Sequence, residues 1–182
     1  MARTTASNQL RIIGGEWRRR VLRFPDVDGL RPTPDRVRET LFNWLGQRLT
    51  GLRCLDLFAG SGALGFEAAS RGAHEVVLVE RDGAALKALR ANKTMLGADR
   101  VEVVAGDGLS YLAGACGLFD VIFMDPPFAV DLLPEALARA ATHLAPEGKI
   151  YIEFGKRPEL AGWQVLREGR AGLSHFCLLE PA

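Results

Sequence analysis

The sequence predicts an α/β fold, a doubly wound and mostly parallel seven-stranded sheet with helices on both faces. Three observations carry this prediction. From about Thr50 onward, short apolar runs alternate with segments of helical period. The first runs are separated by enough chain for a helix each, which makes βαβ units and hence a parallel sheet. The last two runs are separated only by the short turn 169–172, so the C-terminal edge is antiparallel.

Upstream of the sheet, the sequence predicts a small hairpin and one helix. LRIIGG and RRVLRF form two short strands around residues 14–19. RPTPDRVRETLFNWL is a helix whose start is marked by Thr33, because Pro34 suits the first turn and Asp35 lies near the positive helix end. The apolar residues that repeat on this helix and should pack on the core are Leu41, Trp44 and Leu45.

Seven apolar runs predict the strands of the sheet. In chain order they are RCLDLF (53–58), EVVLVE (75–80), VEVVAG, FDVIFMD (119–125), GKIYIEF, WQVLRE and LSHFCLLE. Helices are predicted over about 62–71, in GAALKALRANKTML, and over about 132–144. The fourth strand stops at Pro126 and Pro127, which cannot donate to a ladder. We divide the chain into an N-terminal basic hairpin extension (1–32) and one α/β domain (33–182).

Composition and residue spacing exclude several classes of protein. The 182 residues are 48% apolar and 25% charged, which is ordinary for a globular chain. No run approaches the ~20 apolar residues of a membrane helix, and the N-terminus lacks the apolar segment of a signal peptide, so we expect a cytoplasmic protein. Neither the cysteines nor the histidines have the spacing of metal ligands, so we expect no bound metal. We expect the cysteines to be reduced and buried. These residues are Cys54, Cys116, Cys177, His74, His143 and His175.

Positive charge is concentrated near the N-terminus. The net charge is +1, yet six arginines stand against Glu16 alone up to residue 24, so this segment carries +5 and the remainder sums to −4. Such asymmetry is typical of a face that binds a polyanion, although a solvated surface explains the charge alone equally well. The candidate residues for binding such a polyanion are Arg11, Arg18, Arg19, Arg20 and Arg23.

The loop DLFAGSGALG (56–65) contains the GxGxxG pattern that usually indicates a dinucleotide. Gly60 and Gly62 let the backbone turn sharply toward a ligand. Glu80, at the end of the second strand, suits the two hydroxyls of a ribose, which dinucleotides and S-adenosylmethionine both contain. Asp56 favours S-adenosylmethionine, because a carboxylate attracts the ammonium and the sulfonium of that ligand but repels the pyrophosphate of a dinucleotide.

The tetrapeptide DPPF (125–128) ends the fourth strand. Pro126 and Pro127 hold a stiff segment whose carbonyls point in set directions. The Asp125 carboxylate and the Pro126 carbonyl are two neighbouring acceptors, which match the two hydrogens of an exocyclic amino group. Phe128 offers that base a face for stacking. The pattern predicts chemistry on the amine of a base that has left its stack.

These motifs resemble the class I S-adenosylmethionine-dependent methyltransferases, whose fold is Rossmann-like, and DPPF resembles the [DN]PP[FYW] signature of enzymes that methylate amines conjugated to a planar group. RIIGGEWRRR, GLRPTPDRVRETLFNWL, LDLFAGSGALGFEAASRGA, LVERD and DVIFMDPPF together resemble the RsmD family, from Arg11 to about Glu180. The resemblance implies methyl transfer to the exocyclic N2 of one guanine in small-subunit (16S) ribosomal RNA. It also implies that residues 33–182 form the methyltransferase domain.

The resemblance implies roles for individual residues. The cofactor residues are Asp56, Gly60 and Gly62 for the methionine portion, Glu80 for the ribose, Asp107 and Gly108 for the adenine, and Thr33 and Arg36 for the cofactor or the target. The catalytic residues are Asp125, Pro126, Pro127 and Phe128. A helix cap is the alternative role for Asp107. Ala129 stands where the family often has a basic residue, which concerns one RNA contact and not the chemistry.

The implied partner is ribosomal RNA, free or within an assembling small subunit, and we expect a monomer that contacts no membrane. Other functions stay open from the motifs alone. DPPF also fits a methyltransferase for the N6 of adenine in DNA or another RNA, or for a protein amide. A dinucleotide oxidoreductase is disfavoured by Asp56, and a non-catalytic ribosomal RNA-binding module is disfavoured by the intact DPPF.

Overall fold

The computed structural model describes residues 8–114, 117–127 and 131–182 of the chain. The N-terminal hairpin is present: strand β1 (Asn8–Arg11) pairs antiparallel with β2 (Val21–Phe24). Its strands lie further apart along the chain than expected, because residues 12–20 form the connection. The amide of Arg19 donates to the carbonyl of Ile12 at 2.9 Å, so a backbone hydrogen bond joins the two ends of this connection.

Seven further strands form a single sheet. They are β3 (Arg53–Asp56), β4 (Glu75–Glu80), β5 (Val101–Ala105), β6 (Phe119–Met124), β7 (Leu144–Phe154), β8 (Trp163–Ala171) and β9 (Ser174–Pro181). The strand order is β5-β4-β3-β6-β7-β9-β8. Strands β3 to β7 are parallel, and β9 runs antiparallel to β7 and β8. The predicted mostly parallel sheet with an antiparallel C-terminal edge is confirmed.

Helices connect and cover the strands. They are α1 (Asp35–Trp44), α2 (Ala63–Ser70), α3 (Gly83–Leu96), α4 (Gly108–Ala113) and α5 (Leu133–Ala140), with a 3₁₀ turn over Ala141–His143. The sequence does not predict the six-residue α4, because it is too short for a helical period to be visible. In the described part of the chain, no helix combines the length and the apolar character that a membrane crossing requires.

The predicted start of α1 is wrong. The helix begins at Asp35, and Pro34 occupies the cap position without a side-chain hydrogen bond. The Thr33 hydroxyl donates instead to Glu153 Oε1 at 2.8 Å. A partner 120 residues away therefore overrides the local preference of threonine for a helix cap.

Two apolar clusters cover the two faces of the sheet, and the hairpin belongs to one of them. Side chains of the hairpin segment are buried in the same cluster as those of α1 and α2, namely Leu10, Ile12, Trp17, Leu22 and Phe24. On α1, Leu41 is buried while Trp44 and Leu45 are partly buried against this cluster, as predicted. The second cluster holds α4, α5 and the opposite faces of β6 and β7. The division of the chain at residue 33 stays a prediction.

Two of the three cysteines are described, and both Cys54 and Cys177 are buried free thiols, as expected. Cys116 lies outside the described residues. Burial raises the pKa of Cys54 to about 12 and that of Cys177 to about 11. Both groups therefore stay protonated at neutral pH, and they serve as packing residues.

Candidate active site

The sheet order reverses direction at β3, whose neighbours are β4 and β6. All three strands are parallel, so their carboxyl ends meet at the same edge. In open α/β sheets this switch point is where ligands bind. The candidate residues from the glycine loop, from the end of β4 and from DPPF therefore come together at one edge, as the sequence predicts.

The glycine loop turns sharply between β3 and α2. Gly60 has a φ of 55° and Gly62, the cap residue of α2, has a φ of 80°, a region that favours glycine. A Cβ on Gly62 would lie 2.6 Å from Phe66 Cδ2, which no real contact allows. The loop conformation thus requires a glycine at position 62 and favours one at position 60, and it places the start of α2 at the edge of the sheet.

Asp56 is the last residue of β3 and is buried beneath this loop. Its Oδ2 accepts a hydrogen bond from the amide of Gly65 at 3.0 Å. Burial raises the pKa of Asp56 to about 7, and the nearby charges of Glu80 and Glu153 add to the rise, while the Gly65 hydrogen bond opposes it. A ligand cation at this place would favour the ionised carboxylate.

Gly65 has a role that the sequence reasoning missed. A Cβ there would lie 2.0 Å from Leu78 Cδ2 and 3.2 Å from Asp56 Oδ2. The missing side chain lets α2 approach the sheet closely enough for the Gly65 amide to reach Asp56. The third glycine of GxGxxG is known to serve such helix–strand packing, so the signal was present in the motif.

Glu80 fastens the glycine loop to the end of β4. Its Oε2 accepts from the amide of Gly60 at 2.8 Å, and its Oε1 accepts from the amides of Arg81 and Asp82, both at 3.0 Å. Each carboxylate oxygen can accept more than one hydrogen bond, so the half-buried group retains acceptor capacity for ribose hydroxyls. That role stays a prediction.

Asp107 occupies the cap position of α4. Its Oδ2 accepts from the amide and the hydroxyl of Ser110, at 3.0 and 3.2 Å. The alternative capping role is therefore observed. Gly108 does not leave open space, since a Cβ there would lie 2.8 Å from the carbonyl oxygen of Leu57. Contact of either residue with an adenine stays a prediction, and Oδ1 of Asp107 is the atom available for it.

The DPPF segment follows β6 directly. Asp125 is half-buried, Pro126 is buried and Pro127 is exposed. Phe128, the predicted stacking residue, lies outside the described residues, as does Ala129. Arg36 is exposed on the first turn of α1, two residues beyond the cap position.

Asp125 belongs to a buried polar cluster that the sequence reasoning missed. The Thr33 hydroxyl lies 2.8 Å from Glu153 Oε1 and 3.5 Å from Asp125 Oδ2. The Tyr151 hydroxyl donates to the same Glu153 Oε1 at 2.7 Å. Burial, together with the negative charges of Glu153 and Asp56, raises the pKa of Asp125 well above its usual value. Burial also raises the pKa of Glu153.

The five candidate RNA-binding arginines are all exposed: Arg11, Arg18, Arg19, Arg20 and Arg23. Arg20 Nη2 donates to the carbonyl of Met95 at 3.1 Å, next to the end of α3. A cavity of about 430 Å³ lies between the hairpin and the start of α1, and its lining includes Arg11 and Thr33. The hairpin thus adjoins the polar cluster through Thr33.

A second buried network, also missed, fixes the arginine-bearing segment to α2. Glu67 is completely buried and accepts from the amides of Ile13 and Gly14 at 3.0 and 2.9 Å. The same carboxylate pairs with buried Arg38 at 3.3 Å and with Arg71 at 2.9 Å. Because α2 starts at the glycine loop, this network sets the position of the hairpin relative to the candidate site.

The family described as Conserved hypothetical protein 95, which is the RsmD family, matches residues 10–180. The chain belongs to this family. It is 45% identical to Ribosomal RNA small subunit methyltransferase D of Escherichia coli, covering 97% of this chain and 92% of that protein. The protein of the same name from Haemophilus influenzae is 39% identical, covering 96% and 95%.

A solved structure of a family relative agrees with the fold. The Escherichia coli protein yhhF superposes with a TM-score of 0.86 and 44% identity, covering 96% of this chain and 98% of that one. The Rossmann-like class I methyltransferase fold expected from the sequence is therefore confirmed. The roles of individual site residues stay predictions.

The residues at the switch point fit S-adenosylmethionine, the cofactor that a class I methyltransferase fold implies. At Gly60 an added Cβ would meet nothing closer than 3.7 Å, so a ligand has room to approach the backbone there. A cationic ligand would stabilise the ionised carboxylate of buried Asp56, whose pKa burial raises to about 7. A pyrophosphate would instead face the charges of Asp56 and Glu80. Among the described residues, no group of three or more histidine, cysteine, aspartate or glutamate side chains is arranged to hold a metal ion.

Proposed function

We propose that the protein is an S-adenosylmethionine-dependent methyltransferase that modifies the exocyclic N2 of a guanine in small-subunit (16S) ribosomal RNA. Family membership supports the coarser conclusion, a methyltransferase that acts on ribosomal RNA. The observation that carries the proposal is the meeting of Asp125-Pro126-Pro127 with the glycine loop and Asp56 at one edge of the sheet. An acceptor for an amine thereby adjoins a site for a cationic nucleoside.

S-adenosylmethionine supplies an electrophilic methyl group on a sulfonium, which is a good leaving group. Asp56 offers a carboxylate for the cationic methionine portion, and at Gly60, where an added Cβ would meet nothing closer than 3.7 Å, the backbone is open to the ligand. Glu80 has acceptor capacity for the ribose hydroxyls. The hydrogen bond between Glu80 and the Gly60 amide keeps these two parts of the binding site in register.

The amine of guanine is a poor nucleophile because its lone pair is delocalised into the ring. Asp125 and the Pro126 carbonyl accept its two hydrogens and so orient the nitrogen toward the methyl group. Positioning of this kind contributes up to about 7–11 kcal/mol in well-oriented reactions. The negative carboxylate and the carbonyl dipole also stabilise the positive charge that develops on the nitrogen.

RNA binding requires a base to leave its stack, at a cost of a few kcal/mol. The exposed arginines of the hairpin hold the surrounding phosphates, because charge neutralisation dominates affinity for nucleic acid. The cavity beside this surface is lined by Arg11 and Thr33, and the Thr33 hydroxyl lies 3.5 Å from Asp125 Oδ2. Anchoring of residues 13 and 14 on Glu67 keeps the basic surface at a fixed distance from the reaction centre.

Methyl transfer from tritiated S-adenosylmethionine tests the proposal. We expect label in 16S ribosomal RNA, free or in small-subunit particles, and nuclease digestion followed by mass spectrometry to identify N2-methylguanine. Label on the N6 of adenine, in RNA or DNA, would replace the proposed substrate with the alternative one. Stronger binding of NADH than of S-adenosylmethionine, measured as the larger rise in melting temperature, would remove the cofactor assignment.

Asp125→Ala should abolish turnover while calorimetry still detects cofactor binding, because Asp125 contacts the acceptor amine. Asp99→Ala is the matched control, since Asp99 is exposed before β5, at the amino ends of the strands. It should behave like the wild type. Turnover near that of the wild type in Asp125→Ala would remove Asp125 from its role.

A further inference from the structure

Glu153 has no role in the reaction described so far, yet it is one of the few buried carboxylates of the described chain. It lies at the end of β7, beside the end of β6 where Asp125 follows. The two strands are parallel, with Met124 opposite Ile152, so Asp125 and Glu153 are the next residues on adjacent strands. Adjacent strands lie about 4.8 Å apart, which brings the two carboxyl groups together.

Hydrogen bonds fix the orientation of Glu153. Both nearby hydroxyl donors, from Tyr151 and Thr33, use its Oε1, at 2.7 and 2.8 Å. Thr33 approaches Oδ2 of Asp125 at 3.5 Å, so Oδ2 is the Asp125 oxygen on the Glu153 side. Oδ1 is then the oxygen that remains for another partner.

Two carboxylates in such contact do not both ionise readily, because like charges in a buried site repel. One proton between them removes the repulsion and forms a hydrogen bond. Burial and the neighbouring Glu153 raise the pKa of Asp125, and burial raises that of Glu153, as expected when the pair retains one proton.

We propose that Glu153 is a positioning residue that holds one proton jointly with Asp125, so that Asp125 presents Oδ1 in a fixed direction to the amine of the base. This inference rests on the proposed function, transfer to a base amine held by Asp125. The shared proton leaves the pair with one negative charge. That charge is enough to accept a hydrogen bond from the amine and to stabilise the cation that develops on it.

The other groups around the pair are consistent with one retained proton. Asp56 faces it from β3 and adds negative charge. Tyr151 donates from β7, and Cys177 on β9 lies near Tyr151. On the α1 side, Arg38 Nε donates to the carbonyl of Thr33 at 3.2 Å, and its guanidinium pairs with Asp35 and Glu67. The surroundings therefore disfavour a second negative charge on the pair.

Infrared spectroscopy of the cofactor-free protein tests the proton directly. Above the pKa of about 7 of Asp56, the wild type should retain one protonated carboxyl band. Both Glu153→Gln and Asp125→Asn should lose it, since either change removes one partner of the pair. Glu102→Gln, which changes an exposed glutamate of β5, should keep it. Absence of the band in the wild type, or its survival in both variants, would overturn the shared proton.

Kinetics separate positioning from a purely structural role. Glutamine can accept from Tyr151 and Thr33 and donate to Asp125, so Glu153→Gln should keep kcat within a few fold of the wild type. Glu153→Leu cannot hold Asp125, and its kcat should fall about 10²-fold, as expected for misplacement of a reacting group by about 1 Å. KM for RNA and cofactor should change little in both variants.

Thermal melting shows whether each variant is folded, and Thr33→Val offers a second route if Glu153→Leu is not. It removes the hydroxyl that bridges the two carboxyls, and we expect a smaller loss in kcat at constant KM. Equal kcat for the Gln, Leu and Val variants and the wild type would refute the positioning role. Absence of N2-methylguanine in the wild-type reaction would instead refute the proposed function, while the infrared result would still stand by itself.

Discussion

We predict that the protonation of Asp56 links folding stability to cofactor binding. The side chain is 2% exposed, and burial raises its pKa from 3.8 to about 7. Because each pKa unit corresponds to about 1.4 kcal/mol, ionised Asp56 costs the folded protein about 4 kcal/mol. The perturbation that removes this charge is Asp56→Asn, whose amide oxygen can still accept from the Gly65 amide.

The sign of the effect depends on pH. The folded pKa of Asp56 exceeds its unfolded value, so the folded state binds more protons between about pH 4 and about pH 7. The free energy of unfolding of the cofactor-free wild type should therefore fall as the pH rises through this window. In Asp56→Asn this contribution is absent. The variant should be more stable than the wild type above pH 7, by at most about 4 kcal/mol.

Affinity for S-adenosylmethionine should change in the opposite direction. The variant lacks the carboxylate that pairs with the ligand cation, a loss of about 2 kcal/mol or more, which is about 30-fold in Kd. In the wild type, affinity should fall as the pH decreases below about 7, because the cation must compete with a proton on Asp56. Binding below that pH should release a proton.

Urea unfolding at several pH values and titration calorimetry in buffers of different ionisation enthalpy measure both effects. Asp99→Asn is the matched control, because Asp99 is exposed, and it should change neither stability nor affinity appreciably. If Asp56→Asn were no more stable than the wild type above pH 7, ionised Asp56 would not destabilise the folded protein. If its affinity were unchanged, Asp56 would not contact the cofactor.

Two further predictions concern the hairpin. Changing Arg18, Arg19 and Arg20 to alanine should weaken RNA binding and reduce the slope of log K against log salt by about 0.7–0.9 for each phosphate that the variant no longer neutralises. The control is Arg167→Ala, on the exposed β8 edge. If filter-binding assays gave the triple variant the same slope as the wild type, the three arginines would be solvated surface residues that do not bind RNA. Glu67→Ala should lower the free energy of unfolding in urea by about 3–5 kcal/mol, because it leaves buried Arg38 without this partner, and a decrease below about 1 kcal/mol would contradict the anchoring role.

The elements that the sequence predicts well have local signals. The run EVVLVE matches β4 residue for residue, and Pro126 and Pro127 mark the end of β6 to within one residue. The sequence also places the start of α2 at about Gly62, within one residue of the observed start at Ala63, since left-handed glycine turns depend on neighbouring residues. Such features require no knowledge of which parts of the chain meet in space.

The features that the sequence does not reveal depend on distant partners. The Thr33 hydroxyl and Glu153 are 120 residues apart, and the Ile13 amide and Glu67 are 54 apart. In the sequence, Glu153 is the end of an apolar strand and Glu67 is a polar residue in a helix, both of which are ordinary solvated positions. Their burial follows only from the strand order and from the packing of the hairpin on α2.

Besides Glu80, the edge of the sheet carries the carboxyl groups of Asp56, Asp125 and Glu153, although buried negative charge is costly without compensation. Each of the two parts of the proposed reaction supplies compensation of a different kind. A ligand cation compensates Asp56, whose hydrogen-bond donor is a backbone amide of α2. A proton compensates the Asp125 and Glu153 pair, whose donors are the hydroxyls of Thr33 and Tyr151. We therefore predict that cofactor binding changes the protonation of Asp56 and leaves the proton of the Asp125 and Glu153 pair in place.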